Sequence, residues 1–202
     1  VQCSDRRDGD ANSPDFFLSD ADALQLLHQV HGAEVVTVEQ TTPDRPEADA
    51  AVTVGSGQVI AIRTADCIPV ALYDDGGVCA VHAGWKGLEA GVVEAASAAL
   101  RAASGGLQRA IVGPFISAPV YEFGAEDLDR LAQTFGDGVR GTTTAGTPAL
   151  DLGGALSVVL ERAGVEVDAW VGRCTGLDER YYSHRVRREP QRQALLVQLV
   201  ES

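Results

Sequence analysis

The chain opens on a polar stretch rich in Asp and Ser, broken by one apolar knot at Phe16-Phe17-Leu18, and then settles into short apolar runs separated by turn residues. Residues 1–26 predict an edge strand and a loop. Glu34–Glu39 alternates and is β-branched, the pattern of a strand, and the two prolines within Thr41–Glu47 mark a loop. Ala50–Val54, Val59–Thr64 and Ile68–Tyr73 are three further apolar runs, separated by Gly55-Ser56-Gly57 and by an Ala65-Asp66-Cys67 turn. Asp74-Asp75-Gly76-Gly77 is a hairpin signal, which makes Val78–His82 the partner strand.

After Gly84–Gly87 the period changes. Leu88, Val92, Ala95, Ala96, Ala99 and Leu100 recur at helical spacing and predict a helix from about Leu88 to Ala103, stopped by Gly105-Gly106. Ala110–Val112 reads as a short buried strand and Ala125–Phe135 as a second amphipathic helix. Asp151 can cap a third helix running to about Ala163, with Gly164 as its terminator. The polar, Gly/Thr-rich segment Gly136–Gly146 predicts a mobile lid, and Val167–Val171 and Leu195–Val200 predict strands. Adjacent strands joined by tight turns, followed by helices in blocks, argue for an α+β layered sandwich of mixed sheets with flanking helices over a doubly wound parallel sheet.

Two hundred and two residues with 45% hydrophobic content can bury the core of one domain, residues 1–202. No apolar run reaches the roughly 18 residues of a membrane helix. The N-terminal residues carry no apolar leader, so the expectation is a cytoplasmic protein without a membrane partner. A formal net charge of -13 argues against nucleic acid and anionic lipid. Against that charge, arginines gather at positions 173, 180, 185, 187, 188 and 192, a local pattern suited to a small anion. The four cysteines show no paired spacing, which leaves metal binding, catalysis or burial for each.

His31, Cys67 and His82 each lie at a strand end beside turn-forming residues. Two imidazoles and a thiolate suit zinc, which keeps a fourth position open in catalytic sites. His28 competes with His31, but in an extended segment the two face opposite ways, and Gly32 lets backbone approach closely at His31. Cys79 lies three residues before His82, faces away from it, and reads as core. Asp66 can orient an imidazole or terminate a turn. Arg63, Arg173, Arg185 and Arg187 are candidates for anion binding through the guanidinium fork, with Arg188 and Arg192 assigned to solvated surface. Trp85, Tyr181 and Tyr182 can stack on a planar ligand. The same residues allow a metal-free cysteine hydrolase with Cys67 as nucleophile and His82 as base. They also allow a non-enzymatic metal-binding module.

Five motifs stand in order along the chain: His28-Gln29-Val30-His31-Gly32; Thr64-Ala65-Asp66-Cys67-Ile68-Pro69-Val70; Val81-His82-Ala83-Gly84-Trp85-Lys86-Gly87; Gly113-Pro114 through Tyr121-Glu122-Phe123-Gly124; and Cys174-Thr175 followed by Tyr182-Ser183-His184-Arg185. Together, over about Leu27 to Arg192, they resemble the YfiH/laccase-domain family, once labelled polyphenol oxidase. The resemblance implies an α+β sandwich related to a deamidating toxin domain. It also implies a zinc-dependent purine nucleoside phosphorylase acting on adenosine, inosine and 5′-methylthioadenosine, with adenosine deaminase activity in addition. The family's zinc ligands fall on His31, Cys67 and His82. Where the family often has Gly-Pro-Cys-Ile-Gly-x-Cys-Cys-Tyr-Glu, this chain has Phe115, Pro119 and Val120 at the cysteine positions, so those cysteines cannot be required ligands here. The family's usual N-terminal Asn-Leu stretch is also absent.

A multicopper oxidase holds several copper ions mostly by imidazoles, and this chain owns four histidines in all, so zinc is expected in preference to copper. Phosphorolysis needs phosphate poised at the anomeric carbon and a protonated leaving purine. Arg63 and Arg185 are therefore assigned to substrate, Trp85 and Tyr182 to the base, and His184 or Asp66 to proton transfer. The expected partners are purine nucleosides and phosphate; nothing in the sequence fixes an oligomeric state.

Overall fold

A computed structural model describes residues 1–13, 15–16 and 23–200; Phe17 and Leu18 of the apolar knot lie outside the described residues. In chain order the strands are β1 (Gln2–Cys3), β2 (Leu24–Leu26), β3 (Val35–Thr37), β4 (Ala50–Thr53), β5 (Val59–Thr64), β6 (Ile68–Tyr73), β7 (Val78–Ala83), β8 (Arg109–Val112), β9 (Arg140–Thr142), β10 (Pro148–Leu150), β11 (Glu166–Trp170) and β12 (Gln193–Gln198). The helices are α1 (Trp85–Ala90), α2 (Val92–Ala103), α3 (Ala125–Phe135), α4 (Leu152–Ala163) and the single turn α5 (His184–Arg187).

A mixed six-stranded sheet, ordered β11-β8-β6-β7-β4-β3, faces a four-stranded one ordered β1-β12-β5-β2. Alternation along the central strands explains the layering. Cys79, Val81 and Ala83 of β7 face the helices with Val70 and Leu72 of β6, and share one core with Leu88, Val92, Leu131 and Leu156. Val78 and Ala80 face the other way, onto Ile60 and Ile62 of β5 and Leu195 and Val197 of β12. Covered on both faces, β7 buries all its residues and β6 all but Tyr73, and both therefore read as continuous apolar runs. Cys79 is core, as its position predicts.

The edges also follow the sequence: β1 and β2 flank the smaller sheet, and Asp151 caps α4 by accepting from the Gly154 amide at 2.9 Å. Three expectations need correction. The first helix starts at Trp85 and breaks in two, because Gly84, with φ -81° and ψ 168°, caps it directly after β7 and Gly91 adopts a left-handed φ of 87°. Gly136–Gly146 is no lid over the site: Arg140–Thr142 pairs antiparallel with Pro148–Leu150, Thr144 N–H donates to the Pro119 carbonyl, and no residue of the segment lines the cavity described below. The tight turn at Ala65-Asp66-Cys67 does not join neighbouring strands of one sheet; it carries the chain from β5 in the smaller sheet to β6 in the larger. No helix among the described residues is long and apolar enough to cross a membrane.

Candidate metal centre and its cavity

Two of the connections that cross between the sheets carry ligands. The segment from β2 to β3 carries His31, and the segment from β5 to β6 carries Cys67. His82 projects from β7 on the face of Val78 and Ala80, toward the smaller sheet. One ligand atom from each of the three residues lies within 4.8 Å of the others, and the two imidazoles meet edge to face at 71°.

Asp49, fully buried just before β4, fixes two of these residues at once. Its Oδ1 accepts from His82 Nδ1 at 2.7 Å and from the His31 amide at 3.0 Å, and its Oδ2 accepts from the Val30 and Gly32 amides at 3.1 and 2.7 Å. His31 sits in the left-handed region, φ 63°, so that three successive N–H groups can converge on one carboxylate. With Nδ1 committed to Asp49, His82 turns Nε2 to the cluster. Burial pushes the Asp49 carboxyl up, but the His82 and main-chain hydrogen bonds overcome it and leave the carboxyl below its ordinary range.

Burial also works against the Cys67 thiolate, yet His82 and His31 bring its pKa down from 9.0 to about 6. Burial disfavours the His82 imidazolium, while Cys67 and Asp49 raise its pKa from 6.5 to about 9. Gly84 permits the approach: a Cβ there would lie 2.9 Å from Cys67 Sγ and 3.1 Å from His31 Cδ2. A thiolate formed with little penalty beside two imidazoles, one held by a buried carboxylate, is a donor set that fits a soft or borderline divalent cation.

The cluster opens on a cavity of about 460 Å³, and all four histidines of the chain line it. Arg63, Asp66, Trp85, His184 and Arg185 line the same space, so most of the residues singled out in the sequence meet there. Tyr182 does not: it is buried under the Arg6 guanidinium, 4.5 Å from its ring centroid, and its main chain is held by Gln193. Tyr121 takes the place expected of it. Its ring lies under Arg185 at 4.8 Å and meets Phe123 edge to face at 5.6 Å, and Phe123 meets Trp85 at 5.4 Å. Burial raises the Tyr121 pKa, so its phenol stays protonated.

Asp66, in the left-handed region at φ 92°, does not orient an imidazole. Its oxygens accept from Thr175 Oγ1 at 2.7 Å and the Arg185 amide at 2.6 Å, and Asp49 is the acceptor for His82. Arg187 is tied to the carbonyls of Thr175 and Gly176 and to Glu189, and neither it nor Arg173 lines the cavity. Arg192, assigned to solvated surface, does line it, as does Asn12. A signal for Asp49 was present: a carboxylate between Ala48 and the apolar run Ala50–Val52 needs buried partners.

Fold and site together define a class: mixed α/β sandwiches with a His-Cys-His cluster opening on an arginine-bearing cavity. A Neisseria meningitidis protein of known crystal structure superimposes with a TM-score of 0.81 at 28% identity, over 92% of this chain and 78% of that one. The chain belongs to the family described as multi-copper polyphenol oxidoreductase laccase, whose sequence profile matches residues 13–200. It is 37% identical over 165 residues to a purine nucleoside phosphorylase of Streptomyces coelicolor, covering 79% of this chain and 68% of that protein. To a purine nucleoside phosphorylase of Deinococcus radiodurans it is 39% identical over 170 residues, covering 82% of this chain and 65% of that one. The chain thus spans about two thirds of the length of these relatives.

Proposed function

We propose that this chain is a zinc-dependent purine nucleoside phosphorylase, acting on adenosine, inosine or 5′-methylthioadenosine with phosphate. The observation that carries the reading is the convergence of His31, Cys67 and His82 in a cavity that also presents arginines and the aromatic rings of Trp85 and Tyr121. The similarity to relatives named purine nucleoside phosphorylases supports the substrate class.

Cys67 Sγ and one nitrogen from each of His31 and His82 would hold the metal, which supplies Lewis acidity and positive charge at that end of the cavity. Trp85 and Tyr121 pack on the purine, and the protonated Tyr121 phenol can donate to it. Arg185, carried at the start of α5 and held by Asp66, presents its guanidinium over Tyr121 to a substrate oxyanion. An oxygen of phosphate attacks the anomeric carbon, and the glycosidic bond breaks with its electrons passing to the purine. His184, exposed on the cavity wall, gives the leaving purine its proton.

Copper is the competing metal, since thiolate and imidazole accept it and the family's description names it. A multicopper centre needs more imidazoles than the cluster's two, which favours a single zinc. The test measures bound metal, and inosine and adenosine consumption with and without phosphate. Stoichiometric zinc that disappears in Cys67→Ala, with phosphate-dependent release of purine, is the expected result. A metal-free protein that cleaves esters or amides through Cys67 overturns it in favour of a cysteine hydrolase. Bound metal with no nucleoside consumed leaves a metal-binding module. Inosine formed from adenosine without phosphate adds deaminase activity.

A further inference from the structure

The cavity has a second chemical pole besides the cluster, built around Arg63 near the end of β5. The Arg63 main chain is locked by a reciprocal pair: its N–H donates to Gln29 Oε1 at 3.0 Å, and Gln29 Nε2 donates to its carbonyl at 2.8 Å. The guanidinium is thus mounted on a fixed strand end. Its Nη1 donates to Asn12 Oδ1 at 3.1 Å, while the enclosed Nε has no acceptor among the described residues. That unused N–H belongs to the fork with which arginine grips two oxygens of one oxyanion.

The charge around it points the same way. Burial and the neighbouring Arg45 and Arg192 all lower the Arg63 pKa, and Asp10 alone opposes them. Asp10 is already engaged, its Oδ1 accepting from the main-chain amides of Asn12 and Arg192. Arg192 Nη1 donates to the carbonyls of Glu189, Pro190 and Gln191 among the described residues. Neither Arg63 nor Arg192 has an ion pair among the described residues, and the same holds for Arg185 on the same cavity. In a chain with 29 acidic residues against 16 basic ones, the guanidiniums of Arg63 and Arg192, on a cavity that Arg185 also lines, are positive charge available to an anionic ligand.

We propose that Arg63 and Arg192, with Asn12 positioning the Arg63 guanidinium, form an oxyanion subsite for a phosphate group, either inorganic phosphate or the phosphate of a nucleoside monophosphate. Its place in catalysis rests on the phosphorylase reading; its existence does not. The zinc-loaded protein is titrated calorimetrically with inorganic phosphate and separately with inosine monophosphate, for wild type, Arg63→Gln, Arg192→Gln and, as a control outside the cavity, Arg173→Gln. Wild type is expected to bind phosphate. Losing a charge-assisted hydrogen bond weakens binding about 10- to 100-fold in Arg63→Gln, with a smaller loss in Arg192→Gln and none in the control. Should Arg63→Gln fail to fold, Asn12→Ala, which alters an exposed residue, carries the same expectation of weaker binding. Inosine monophosphate binding far more tightly than phosphate, and displacing it, assigns the subsite to a nucleotide; phosphate binding undisturbed by inosine monophosphate assigns it to the free anion. Equal phosphate affinity in wild type and all variants, or no binding of either probe to wild type, overturns the subsite. Phosphate binding through Arg63 with no nucleoside consumed sinks the phosphorylase reading and keeps the subsite. Phosphorolysis with an unchanged phosphate KM in both arginine variants does the reverse.

Discussion

Replacing Asp49 with asparagine preserves shape and removes one acceptor. In the native protein Oδ1 serves His82 Nδ1 and the His31 amide, while Oδ2 serves the Val30 and Gly32 amides. An asparagine has one oxygen, so whichever way the amide turns, its NH2 faces two N–H donors. Each buried donor left without an acceptor costs about 1–3 kcal/mol, and two of them about 2–6 kcal/mol. For a domain of this size each kcal/mol lowers the melting temperature by roughly 2–4 °C, so the variant should melt on the order of 10 °C lower. Metal affinity should fall about 10- to 100-fold, the usual cost of losing a carboxylate that orients a ligating imidazole. The assay is zinc competition against a chromophoric chelator, with the visible spectrum of the cobalt-substituted protein reporting ligand geometry. Wild-type zinc affinity together with an unaltered cobalt spectrum in Asp49→Asn would refute the assignment of ligand orientation to this carboxylate.

Gly84→Ala forces a methyl group against Cys67 Sγ and His31 Cδ2, so metal affinity should drop while the metal-free protein loses only about 1–3 kcal/mol, the range for overpacking; unchanged zinc binding contradicts the close approach. In the metal-free protein the Cys67 thiolate contributes stability in full above the thiol's ordinary pKa of 9.0 and loses it as pH falls through about 6. The His82 imidazolium contributes in full below 6.5 and loses it as pH rises through about 9. Urea midpoints of metal-free wild type and Cys67→Ala should therefore diverge most between these limits, and parallel pH profiles exclude the pair. Tyr121→Ala should raise the nucleoside KM severalfold, whereas Tyr182→Phe should leave it unchanged, because only Tyr121 lines the cavity; the opposite pattern restores Tyr182 to the site.

Much of this was legible in the chain because periodicity reports burial. The bounds of α3 and α4 follow from amphipathic spacing and from Asp151 and Gly164 at the ends of α4. The strands from Ala50 to Ala83 follow from apolar runs that only a doubly covered sheet explains. What periodicity does not carry is partition: nothing in Val59–Thr64 says that it belongs to a different sheet from Ile68–Tyr73, since Val59–Ile62 and Ile68–Leu72 are both continuous buried apolar runs. The same limit hid Asp49. The apolar run around it signals that it is buried, but which groups it binds, main-chain amides and an imidazole 33 residues away, the sequence does not mark. Tyr182 misled for a related reason, because an aromatic beside His184 and Arg185 looks like part of their site until Arg6 is seen covering it.

The crossing of both ligand-bearing connections from one sheet to the other sets an order of events in folding. In the folded protein His31 and Cys67 meet where β2 pairs with β5, β3 pairs with β4, and the two sheets close over Ile60, Ile62, Ala80 and Leu195. Neither sheet alone carries the complete triad, so zinc uptake during refolding should lag the formation of secondary structure and coincide with the docking of the sheets. Metal capture then serves as a clock for the last assembly step.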